Sequence, residues 1–234
     1  MFELTPGRIL GRRYEVIDLL GGGWEGEVYL VRERITGIER AVKLFYPERN
    51  PKNRVATQYA TKLHRLRHCE ALIQYLGQEI IRLRGQDITM LVSEFVEGKM
   101  LSAYLDKQPG KRMPVFEALH FTHALASAVA PMHRLREYHG DLHSDNIMML
   151  RRGLGFEIKL LDLFNLGSAS KRNIQTDVCD IVRMLYDALG GRPQYARQRP
   201  EIKAVICGLK RSLIVRKFPN AEHLKLHLEN IEWS

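Results

Sequence analysis

The stretch LLGGGWEGEVYLV, Leu19 to Val31, does most to limit what this chain can fold into. It sets Gly21, Gly23 and Gly26 in a GxGxxGxV pattern that ends on Val28. Glycines let a backbone turn tightly and bring its N–H groups close to anionic oxygens. A dinucleotide-binding unit needs a helix directly after such a loop. Here Glu27 to Glu33 reads as a strand, so the loop joins two strands and the βαβ reading fails. A plain glycine-rich hairpin is the alternative, because the pattern alone carries little specificity.

The flanking sequence continues the β reading. Tyr14–Leu20, Val28–Glu33 and Arg40–Phe45 are short β-rich segments, with Gly37 marking a hairpin. Lys43 lies inside the third. By strand alternation Ala41, Lys43 and Phe45 share a face and Arg40 takes the other. A lysine among such residues calls for an anion, and nucleotide phosphate is the natural candidate. A side chain reaching solvent from the strand edge is the alternative. A helix is expected over residues 52–69, with Val55, Tyr59, Leu63 and Leu66 as its buried stripe. Strands are expected at Leu72–Leu83 and Ile88–Ser93. SEFVEGKML then reads as a link. Beyond it helices dominate: Pro114 to about Arg136, bent near Pro131, Asp177–Leu189, and two or three shorter ones. A hairpin of Ile147–Leu150 and Glu157–Leu161 sits among them. The expectation is an α+β chain in two lobes, a small β-rich one (residues 1–94) and a mostly helical one (residues 95–234).

The second lobe carries YHGDLHSDNIMML, Tyr138 to Leu150. Phosphoryl transfer needs a carboxylate beside the incoming hydroxyl and oxygen ligands that hold Mg²⁺ on the phosphates. Asp141 suits the first task. Asn146 and Asp162, the latter following a strand in IKLLDLF, suit the second, because carboxylate and amide oxygens match a hard cation.

Taken in order, the glycine loop, AVK, HGDLHSDN, a strand and LDLF resemble the protein-kinase-like superfamily from about Tyr14 to Gly191. The resemblance implies one bilobal kinase-like domain with a trimmed C-lobe. It implies an enzyme that moves the γ-phosphate of ATP, with Mg²⁺, to a hydroxyl. Serine or threonine of a protein is the leading acceptor, and a small molecule or a nucleotide-binding pseudokinase are the alternatives. It places Gly21, Gly23, Gly26 and Val28 over the phosphates and Lys43 on the α/β-phosphates. Ala41, Glu94 and Val96 fall around the adenine. Asp141 becomes the catalytic aspartate, and Asn146 and Asp162 the metal ligands. His139 becomes a packed loop histidine, and Asp177 an acceptor of backbone hydrogen bonds from the catalytic loop.

Several positions depart from the family pattern. The helix acid that usually partners the strand lysine falls at Tyr59, and no Asp or Glu occurs from Arg49 to Cys69. Glu48 is one substitute, if the turn after the third strand folds back; the alternative is that Lys43 pairs only with Asp162 and the nucleotide. HGD in place of HRD removes the arginine that would read a phosphorylated loop. His143 stands where a lysine is usual, as in aminoglycoside phosphotransferases, and either touches phosphate or substrate or packs in the loop. DLF replaces DFG, and the segment between Asp162 and Asp177 has only fourteen residues. Ser168, Ser170 and Thr176 are its candidate phosphosites. RKFPNAEHLKLHLENI resembles the end of the large lobe, with Arg216 as its arginine.

The formal charge of +9 favours acidic partners. A concentration of bases over residues 49–67 is either a solvated helix face or a dock for an acidic or phosphorylated partner. No nucleic-acid motif and no apolar run of membrane-spanning length occur. Three cysteines without paired spacing fit a reducing compartment, and a cytoplasmic location is expected.

Overall fold

The computed structural model describes residues 1–153, 155–163, 167 and 169–232. Two compact units emerge, Met1–His68 with Leu72–Val96, and Cys69–Ala71 with Glu97–Ser234.

The first unit is a six-stranded antiparallel sheet with one helix. Its strands are β1 (Ile9–Leu10), β2 (Tyr14–Gly22), β3 (Gly26–Glu33), β4 (Glu39–Phe45), β5 (Tyr75–Leu83) and β6 (Gln86–Glu94), in the order β1-β2-β3-β4-β6-β5. Tyr14, Val16, Tyr29, Val31, Val42, Leu44, Met90 and Val92 fill the core on one face. Alternation then puts Val28, Leu30, Ala41 and Lys43 together on the other, half-buried face. Helix α1 (Arg54–Arg65) packs on β5 and β6. It is shorter than its apolar stripe suggests. Pro51 breaks the approach, and Lys52 and Asn53 hold left-handed φ values of 52° and 60°, which a right-handed helix cannot include.

The second unit has strand β7 (Lys99–Met100) and helices α2 (Leu101–Asp106) and α3 (Val115–Arg134). A hairpin of β8 (Ile147–Arg152) and β9 (Gly155–Leu160) follows. The order within this small sheet is β7-β8-β9. Then come α4 (Lys171–Ala188), α5 (Arg192–Tyr195), α6 (Pro200–Ile206), α7 (Arg211–Lys217) and α8 (Ala221–Glu229). Helix α3 buries residues on most sides, as its small and apolar composition dictates, and packs against α4, α8 and β9. Among the described residues no helix is long and apolar enough to cross a membrane.

Candidate active site

The glycine loop is the turn between β2 and β3. Gly21 pairs with Val28 and Gly22 with Glu27, and the Gly23 N–H donates to the Gly26 carbonyl at 2.9 Å. The three motif glycines are there for different reasons. A Cβ on Gly26 would lie 1.9 Å from the Leu44 carbonyl oxygen, so strand β4 itself forbids a side chain. A Cβ on Gly21 or Gly23 would meet no protein atom within 4 Å. Neither has a positive φ, so neither packing nor backbone strain demands glycine there. The space beside both is open.

Lys43 pairs across the ladder with Val28. Its Nζ lies 2.8 Å from Glu25 Oε2, with side-chain exposures of 12% and 17%. The ammonium also sits 5.1 Å from the centre of the Tyr59 ring and 5.4 Å from that of Phe45. Tyr59 thus offers a ring face where the family pattern has a carboxylate. Glu48, the substitute considered from sequence, is exposed, and the acid on Lys43 is Glu25 of the glycine loop. Sequence reasoning missed it because alternation along β3 places residue 25 with Glu27 and Tyr29 on the core face. The bend at Trp24 and Glu25 turns it to the other side. Ala41 pairs with Ser93, whose hydroxyl donates to the Ala41 carbonyl at 3.4 Å. Glu94 closes β6, its Oε1 accepting from the Gln74 N–H at 3.1 Å, and Val96 ends the unit.

In the second unit the loop from Tyr138 to Asn146 is held from below by Asp177, which is fully buried. Asp177 accepts from the His139 N–H at 2.7 Å and the Gly140 N–H at 2.9 Å. Its third partner, His133, was not foreseen. The Ala221 N–H donates to His133 Nδ1 at 3.1 Å, which puts the ring proton on Nε2, 3.1 Å from Asp177. His139 is buried as the resemblance implies. Its Nε2 lies 2.8 Å from the Leu161 carbonyl, and the Leu161 N–H donates to the Asn146 carbonyl at 2.9 Å. These two bonds fasten the loop to the end of β9, where Asp162 follows with an uncommon φ of +49°.

Within the loop, Asn146 Nδ2 donates to the Asp141 carbonyl at 2.9 Å and to Asp141 Oδ2 at 3.2 Å. The amide oxygen takes none of these bonds. His143 Nε2 is 3.5 Å from Asp141 Oδ2 and 2.8 Å from Asn146 Nδ2, and Nδ1 faces the Asp145 N–H at 3.2 Å. Asp141 and Asn146 are therefore hydrogen-bonded to each other, with the His143 ring in contact with both. Asp180, one turn beyond Asp177 on α4, has its carboxyl pushed up to about 7, by burial first and then by the charge of Asp177. Among the described residues no three His, Cys, Asp or Glu side chains cluster as a metal site.

The segment before α4 differs from expectation. The helix starts at Lys171, six residues before Asp177, through a reciprocal cap in which the Asn173 N–H donates to Ser170 Oγ and the Ser170 N–H to Asn173 Oδ1. Ser170 is thus a capping residue. Thr176 is helical, its hydroxyl donating to the Arg172 carbonyl at 2.9 Å. Phe164 of DLF and Ser168 lie outside the described residues.

Comparison with known proteins agrees with this geometry. The chain is 28% identical over 167 residues to the serine/threonine-protein kinase PksC of Streptomyces coelicolor, covering 67% of this chain and 28% of that protein. It is 31% identical over 160 residues to the serine/threonine-protein kinase PrkC of Bacillus subtilis, covering 67% and 23% respectively. The chain therefore spans less than a third of the length of these relatives. The kinase domain of Mycobacterium tuberculosis PknI shares its fold, with a TM-score of 0.65 over 97% of this chain and 96% of that one, at 19% identity. Residues 14–196 match the protein kinase domain family, and the chain belongs to it.

Proposed function

We propose that the chain is an ATP-dependent phosphotransferase that acts on serine or threonine hydroxyls of a protein. The observation that carries this reading is the Asp141–His143–Asn146 cluster, tied to Asp177 below and through His139 to the Leu161 carbonyl, just before Asp162. Its support is the kinase family and the serine/threonine kinases among its relatives.

Phosphates would lie along the backbone of Gly21–Gly26, where Gly21 and Gly23 leave room, with the Lys43 ammonium on their charge. Val28 and Ala41 on the same sheet face, with Glu94 and Val96, would take the base. The Asn146 amide oxygen and the Asp162 carboxylate would hold Mg²⁺, which when bound neutralises phosphate charge. Asp141 is half-exposed, and its Oδ1 takes none of the loop's hydrogen bonds, so it can accept one from the acceptor hydroxyl. The hydroxyl oxygen forms the new P–O bond as the bond to ADP breaks. Asn146 Nδ2 steadies the Asp141 carboxylate at its other oxygen.

The histidine-bearing loop HGDLHSDN also supports a second reading, a small-molecule alcohol as acceptor. A dock for an acidic partner on the basic residues around α1 is proposed on charge, with Lys52, Arg54 and Arg67 exposed. A cytoplasmic location is supported by three unpaired thiols, Cys69, Cys179 and Cys207.

Incubation with γ-labelled ATP and Mg²⁺ tests the reading. Wild-type protein should transfer label to itself or to a protein acceptor, and D141N should be slower by roughly 10²–10⁴-fold. Label that passes only to small alcohols would select the second reading. Absence of any D141-dependent transfer would refute both.

A further inference from the structure

We infer that Glu25 is a positioning residue for Lys43 and does, from within the glycine loop, the work of the missing helix acid. The inference rests on the phosphotransferase reading for its purpose, but on its own geometry for its substance.

Lys43 has a directional partner in Glu25. Its ammonium is mostly shielded and has two ring faces beside it, Tyr59 and Phe45. Rings stabilise the charge but do not fix where the three N–H bonds point. Glu25 supplies a carboxylate oxygen at 2.8 Å. Helix α1 supplies no carboxylate at all, since Arg49 to Cys69 lacks Asp and Glu.

The backbone around Glu25 is anchored on three sides, so the pair is not a chance contact of a mobile tip. The Glu25 carbonyl accepts from the Tyr46 N–H at 2.9 Å, which extends the β3–β4 ladder by one step. Before it, the exposed Trp24 ring is covered by the Arg49 guanidinium, 3.2 Å from the ring centre. After it, Gly26 is seated on the Leu44 carbonyl so closely that not even a methyl group fits. Lys43 and its acid therefore share one sheet, and their distance is set by strand pairing. The position of α1 does not enter.

A carboxylate this close to a phosphate-binding lysine could instead compete with the nucleotide. The two roles predict opposite results. For a positioning role, E25Q, which keeps shape and removes charge, lowers kcat roughly 10–100-fold, while KM for ATP moves less than about threefold. E25D retains part of the rate. Moving the acid to the helix in the double variant E25Q/Y59E recovers at least about tenfold over E25Q. E48Q, which removes an exposed acid nearby, stays within about twofold of wild type. A readout that needs no turnover accompanies these. The ¹H–¹⁵N signal of the Lys43 ammonium, assigned by its loss in K43R, should shift or vanish in E25Q and persist in E48Q. Turnover in E25Q within twofold of wild type, or faster with tighter ATP binding, would overturn the inference, as would an unchanged Lys43 signal. If the wild type transfers no phosphate at all, the proposed function fails, and the ammonium signal alone decides whether Glu25 holds Lys43.

Discussion

Gly26 and Gly21 look alike in the motif but answer to different constraints. Replacing Gly26 with alanine forces a methyl group onto the Leu44 carbonyl, and strand β3 or β4 must move. G26A should therefore lose about 2–3 kcal/mol of stability in a denaturant titration. G21A and G23A meet no protein atom and should unfold within about 0.5 kcal/mol of wild type. Their ATP affinity should nevertheless fall, read by calorimetry, because the added methyl group takes the space the phosphates need. Asp180 makes a second residue-level prediction. Its folded-state value of about 7 lies above the ordinary 3.8. The stability that this carboxyl contributes is thus fully present below 3.8 and is lost as pH rises through about 7. D180N removes that loss, and should raise the melting temperature at pH 8 and change it little at pH 4. The gain should be about 1–2 kcal/mol once solvent screening of this partly exposed group is allowed for.

At the scale of elements, the catalytic loop is a suspended structure whose fastening is Asp177 on α4. D177A removes the shared acceptor of the His139 and Gly140 N–H groups and of the His133 ring proton. Such a change should cost about 3 kcal/mol or more, seen as a lower urea midpoint, and should depress turnover without touching Asp141. This anchoring was implied by the resemblance to protein kinases, which placed Asp177 beneath the catalytic loop. Two things were not. The start of α4 is written as Ser170–Asn173, a reciprocal cap with an amide where the usual signal has Glu or Gln. His133 lies in α3 and meets Asp177 only because the two helices pack together, and no local pattern encodes that. The Glu25–Lys43 pair was hidden for a third reason, a bend that reverses the face on which alternation would put the acid.

For the whole molecule, strand and helix order were readable because period-two stretches dominate before Val96 and period-3.6 stretches after it, with α1 and the β8–β9 hairpin as exceptions. The shortest pieces, β1, β7 and α5, are too brief to leave a periodic trace. The charge of +9 acts at this scale too. Association with an acidic protein, followed by stopped-flow, should slow by roughly tenfold between 50 and 300 mM salt, and neutralising Lys52, Arg54 and Arg67 together should flatten that dependence. The acid carried in the glycine loop has a further consequence, for the history of the sequence. Once Glu25 serves Lys43, position 59 is released from selection for a carboxylate and can drift to an aromatic residue that packs better on the sheet. The two positions, 34 residues apart, should covary, so that close kin without an acid at 25 more often carry one at 59.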